Sequence, residues 1–78
     1  MIQTPEITPE ALVAQFQIPD QRFFAPVDLA DLFDVSRSTI YTLIEEAELP
    51  AVKIRGSQRV PRFAVIEYLR RQVAKSDE

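Results

Sequence analysis

The 78 residues accommodate one small domain, and a chain this short buries only about 60% of the surface its unfolded form exposes, which leaves little room for a deep catalytic pocket. With no Cys, no His and one Gly, it lacks thiolate nucleophile, imidazole base, zinc-knuckle spacing and phosphate-cradling glycine loop, so the expectation is a protein that is not an enzyme and needs no metal or cofactor. Hydrophobic residues at 46% and charged ones at 27% are ordinary globular values, and no run approaches the roughly 18 apolar residues of a spanning helix, so a cytoplasmic protein without membrane or small-molecule partners is expected.

In chain order, Thr8-Pro9-Glu10 is a helix start: a hydroxyl cap, a proline preset for the first helical position, then Leu12, Val13 and Phe16 on one face. The spacing predicts a helix over about 9–17. Ile18-Pro19-Asp20-Gln21 breaks it, and 18–25 reads as a linker pinned by Phe23 and Phe24. Pro26 opens a second helix with Leu29, Ala30, Leu32 and Phe33 as its apolar stripe and Asp28 in the first turn, where negative charge suits the dipole. Asp34-Val35 supplies a tight turn, because Asp tolerates the left-handed conformation better than most residues. Ser36 then caps a third helix whose Ile40, Leu43, Ile44 and Ala47 recur at core spacing. Its other face carries Arg37, Ser38, Tyr41, Thr42 and Glu45, with Thr39 at the boundary. After Leu49-Pro50, Ala51-Val52-Lys53-Ile54 and Gln58-Arg59-Val60 alternate around Arg55-Gly56-Ser57, the pattern of a two-stranded hairpin. Phe63, Ile66, Leu69 and Val73 predict a last helix over about 62–74, followed by a frayed tail at 76–78.

Charge is segregated. Residues 1–34 set Arg22 against six carboxylates, a balance of −5, whereas residues 50–75 set seven cations against Glu67, a balance of +6. An acidic molecule with one basic half presents a positive face to a polyanion. A short helix, a tight turn and a second helix with a small, polar, basic start is a helix-turn-helix, whose second helix lies in the major groove of duplex DNA. On this reading Ser36, Arg37, Ser38, Thr39, Tyr41 and Thr42 contact DNA from the recognition helix. Hydroxyls and backbone N–H groups reach phosphate oxygens, and Arg37 pairs with a phosphate or with guanine O6 and N7. Glu45 and Glu46 lie where phosphate repels them, so only the first two turns enter the groove. The hairpin adds Lys53, Arg55, Gly56, Ser57, Gln58 and Arg59, and Arg62 is a further phosphate contact. Tyr41 has an alternative reading as a lid on the core edge, and Arg59 one as an ion-pair partner of Glu45 or Glu48.

Ala30-Asp31-Leu32-Phe33, Val35-Ser36-Arg37-Ser38-Thr39-Ile40-Tyr41, Leu49-Pro50-Ala51-Val52-Lys53-Ile54, Arg59-Val60-Pro61 and Tyr68-Leu69 follow one another as in the excisionase-type DNA-binding domains of the MerR-like group, and about two thirds of the chain resembles them. The resemblance implies a mainly α winged helix-turn-helix over 23–75, preceded by an extension over 1–22 with its own short helix. It implies duplex binding in the major groove and through the wing, in cooperative arrays and with an integrase as partner, to direct excision of a phage or mobile element. Transcriptional repression by the same fold is the near alternative. Asp34 and Ala47 stand where the family often has Gly, which predicts strain of about 1 kcal/mol at each. The face of Leu12, Val13 and Phe16 is offered for self-association. From another class, a protein-interaction module for virion assembly or adaptation would use the acidic first third and Phe23-Phe24 instead of the basic half.

Overall fold

The computed structural model describes residues 8–76; the expected extension before Thr8 and the tail beyond Ser76 lie outside the described residues. Four helices and three short strands follow one another as α1 (Pro9–Phe16), β1 (Phe23–Phe24), α2 (Pro26–Phe33), α3 (Arg37–Glu45), β2 (Val52–Ile54), β3 (Ser57–Pro61) and α4 (Arg62–Ser76).

Each early helix starts on the signal its sequence carries. Thr8 Oγ1 accepts the Ala11 N–H at 3.1 Å ahead of Pro9. The Asp28 carboxylate accepts the Ala25 N–H at 3.2 Å around Pro26, which satisfies a donor that the helix itself leaves orphaned. The helix ends share a second device. Gln17, Asp34 and Ala47 adopt φ of 53°, 58° and 60°, and the residue after each turns its N–H back into the helix, Ile18 to Val13 O, Val35 to Ala30 O and Glu48 to Leu43 O. These are left-handed helix terminations of the Schellman kind, made without glycine.

The only glycine serves the hairpin. Ile54 pairs with Ser57, leaving a two-residue loop in which Arg55 (φ 52°) and Gly56 (φ 84°) are both left-handed, the type I′ geometry that matches strand twist. The expected two-stranded wing acquires a third strand: β1 pairs antiparallel with β3, Phe23 opposite Pro61 and Phe24 opposite Val60, in the order β1-β3-β2. The expected linker at 18–25 therefore contains a strand, too short to carry an alternating pattern of its own.

Phe24, Leu29, Ile40, Leu49, Val60 and Val65 are fully buried in one core to which α2, α3, the sheet and α4 all contribute. Each such side chain contributes about 1.5–3 kcal/mol of burial. Two expected core positions fall outside it. Ala47 is exposed, because α3 has already ended and the chain has reversed. Phe63 is 71% exposed, and α4 buries Ala64 and Val65 instead, with Ile66, Tyr68 and Leu69 packed beside them. The reason is steric order: α4 follows β3 without a linker, so the strand that turns Val60 inward fixes the helix phase. α1 packs on α4 and buries Leu12, with Val13 half-buried against the core; of the face offered for self-association only Phe16 remains exposed.

Candidate nucleic-acid interface

Ser36 has extended backbone (φ −73°, ψ 157°) and its Oγ accepts the Thr39 N–H at 3.2 Å, so it caps α3. The same oxygen lies 2.9 Å from Thr39 Oγ1 and 3.1 Å from Ser38 Oγ. Three hydroxyl protons thus serve two contacts within the cluster. At least one O–H is left to donate outward, in addition to the free N–H groups of the first turn. A cap needs one hydroxyl; the cluster supplies three and leaves a donor over. Arg37 sits in their midst, exposed, and its side chain makes no ion pair or hydrogen bond to another described residue.

One turn on, Tyr41 is 48% exposed. It lines a cleft of about 440 Å³ together with Pro26, Lys53, Gly56, Ser57, Gln58 and Arg59. The recognition helix and the wing therefore meet across one concave surface. Its wall carries two cations, a phenol, a hydroxyl and the close backbone of a glycine. Pro26 was legible in the sequence only as a helix start; its presence here follows from the packing of α2 on α3 and β3. Thr42 is exposed on the same helix but does not line the cleft, and Arg55 stands at the hairpin tip.

The remaining arginines differ in what they bond. Arg59 donates from Nη1 to the Gln58 carbonyl at 2.8 Å, so among the described residues it pairs with neither Glu45 nor Glu48, and its other nitrogens stay available in the cleft. Arg62 Nε reaches the Pro19 carbonyl at 3.3 Å, and its side chain lines a different cleft with Pro9, Glu10, Val13, Ala14 and Ile66. The structure does not bring it together with the recognition helix and wing. Arg70 forms a bidentate pair with Glu67, 3.0 Å from Nε to Oε1 and 2.6 Å from Nη2 to Oε2, and those hydrogen bonds, with the charge behind them, hold the Glu67 carboxyl below its ordinary value. Arg71 turns inward. Among the described residues no group of His, Cys, Asp or Glu side chains is arranged to hold a metal ion, and no helix is long and apolar enough to cross a membrane.

A short helix, a left-handed turn at Asp34, a capped second helix and a hairpin beside it define the winged helix-turn-helix class. A family model described as a helix-turn-helix domain matches residues 26–73, from the first residue of α2 to near the end of α4, and the chain belongs to that excisionase-type, DNA-binding family. No curated protein and no solved structure matches the chain.

Proposed function

We propose that the protein binds duplex DNA sequence-specifically, with the first two turns of α3 in the major groove and the β2–β3 hairpin against the adjoining backbone. The observation that supports this most is the shared cleft. Tyr41 of α3 and Lys53, Ser57 and Arg59 of the wing face one space, so a strand leaving the groove runs past both. Ser36, Ser38 and Thr39 donate to phosphate, Arg37 and Thr42 read base edges or the flanking backbone, and Arg55 with Gly56 brings the hairpin tip close to the sugar-phosphate chain. The setting that the excisionase-type family supports is a phage or mobile element, where a small duplex-binding protein in the cytoplasm directs an integrase toward excision. Repression of the element's transcription would use the same surface and differ only in where the site lies.

Selection of bound duplexes from a random pool, followed by mobility shift with a selected sequence, tests the reading. Arg37→Ala and Arg59→Ala should each weaken the specific complex at least tenfold, and together abolish it. A protein that selects no sequence would leave the interaction-module reading in its place, and a complex that survives the double substitution would put the DNA contact on another surface. Addition of the protein to an excision reaction driven by the element's integrase then separates directionality from repression.

A further inference from the structure

We infer that Arg71, far from the duplex, is a positioning residue that sets the tilt at which α3 presents Ser36 to Thr42; the inference rests on the duplex-binding reading above. Arg71 projects from α4 and donates from Nη2 to the Glu48 carbonyl at 2.9 Å, just beyond the C-terminal end of α3. Its guanidinium carbon lies 6.0 Å from the Tyr68 ring centroid, and on Tyr68 stacks Phe33, the last residue of α2, at 5.6 Å and 17°. One side chain of α4 thus holds the tail of the recognition helix, and through its stacking partner the tail of the helix before it. The Glu48 contact sits at the end of α3 opposite the hydroxyl cluster, whereas Phe33 stands ahead of its start and lines one cavity with Val35 and Thr39.

That placement gives leverage. Nine residues at 1.5 Å each make α3 about 13 Å long, so a rotation of about 10° about its C-terminal end moves Ser36 by roughly 2 Å. Base readout tolerates about 0.5 Å. A carbonyl next to the negative end of a helix dipole is also where a cation is best placed to hold it.

Stability alone does not explain the residue. Arg71 Nε is buried without a hydrogen-bond partner among the described residues, a cost that an apolar side chain of similar length would avoid. What an apolar side chain cannot do is fix the Glu48 carbonyl at one distance and one direction. Lysine keeps the charge but not the flat group that lies over Tyr68 while bonding sideways.

The test compares wild type, Arg71→Met and Arg71→Lys in two readouts. In the free, full-length protein, residual dipolar couplings of backbone amides report the orientation of α3 relative to α4. On DNA, the affinity for a selected duplex is divided by that for random-sequence duplex. Arg71→Met should stay folded, reorient α3, and reduce the affinity ratio about tenfold with the salt dependence of random-duplex binding unchanged; Arg71→Lys should lose about threefold. A folded Arg71→Met protein with the wild-type orientation and ratio overturns the inference, as does an equal loss of affinity for both duplexes. Should the methionine variant not fold, the lysine variant decides in the same way, a wild-type orientation and ratio being the contrary result. Were the wild type to select no sequence, the duplex-binding reading would fall, and the couplings in the free protein would still decide whether Arg71 orients α3.

Discussion

Ala47 carries a Cβ in a conformation that L-residues avoid, φ 60°, with nothing in its own side chain to compensate. It is exposed, so the conformation and not packing decides its energetics. Ala47→Gly is therefore expected to stabilise the protein by about 1 kcal/mol, less the entropy the glycine adds to the unfolded chain. Urea unfolding followed by circular dichroism measures it, and a lower midpoint would show that the left-handed geometry stores less strain than the entropy the glycine adds. Asp34 and Ala47 are legible as positions of this kind from their place in the family pattern. Gln17 and Arg55 were not foreseen, because neither residue type signals positive φ; one is forced by the Schellman-type end of α1, the other by the two-residue loop that the pairing of Ile54 with Ser57 leaves. The hydroxyl cluster was legible as a group but its internal bonding was not, since side-chain contacts between Ser36, Ser38 and Thr39 depend on rotamers that spacing does not specify.

At the scale of elements, helix starts and the phases of α2 and α3 were readable, and the phase at the start of α4 was not. Thr8-Pro9, Pro26 and Ser36 mark real boundaries because capping is local chemistry. The buried face of α4 is set by what precedes and surrounds it, so Phe63, though at the right spacing, points outward while Tyr68 turns in to stack on Phe33. The inward placement of Tyr68 has a measurable consequence. Burial first, and the charge of Glu48 second, raise its phenol above the ordinary value of 10.0 despite the opposing effect of Arg71. An unfolded tyrosine therefore loses its proton first as pH rises, so the contribution of this group is fully present below about pH 10 and is lost as pH climbs through the folded value. Tyr68→Phe should remove that part of the alkaline destabilisation while leaving stability near neutral pH almost unchanged. Parallel unfolding titrations of the two proteins between neutral and strongly alkaline pH would reveal it; superimposable curves would contradict the placement of Tyr68.

For the whole molecule, the sequence showed that positive charge is gathered in the C-terminal half, and the fold shows that this half divides. Arg62 ties the α1 segment to the start of α4, Arg70 pairs with Glu67, and Arg71 holds the end of α3. What remains around the recognition helix and wing is Arg37, Lys53, Arg55 and Arg59, fewer than the cationic count alone suggests. No one-dimensional pattern separates these two sets, because the division depends on carbonyls of Pro19 and Glu48 that come near the cations only in three dimensions. The acidic remainder, with Glu10, Asp20, Asp28, Asp31 and Asp34 all exposed, disfavours orientations that bring those carboxylates onto a polyanion.

Salt dependence of duplex affinity measures that division directly. Four cations on phosphate give a slope of log affinity against log salt of about −3.6, at roughly −0.9 for each contact. Fluorescence anisotropy with a labelled duplex over a series of salt concentrations should return that slope, reduced by about one for Lys53→Ala and unchanged for Arg70→Ala, whose guanidinium belongs to Glu67. A flat response, or a slope that Arg70→Ala lowers and Lys53→Ala leaves alone, would contradict the account that the α3 start and the wing are the surface that meets DNA.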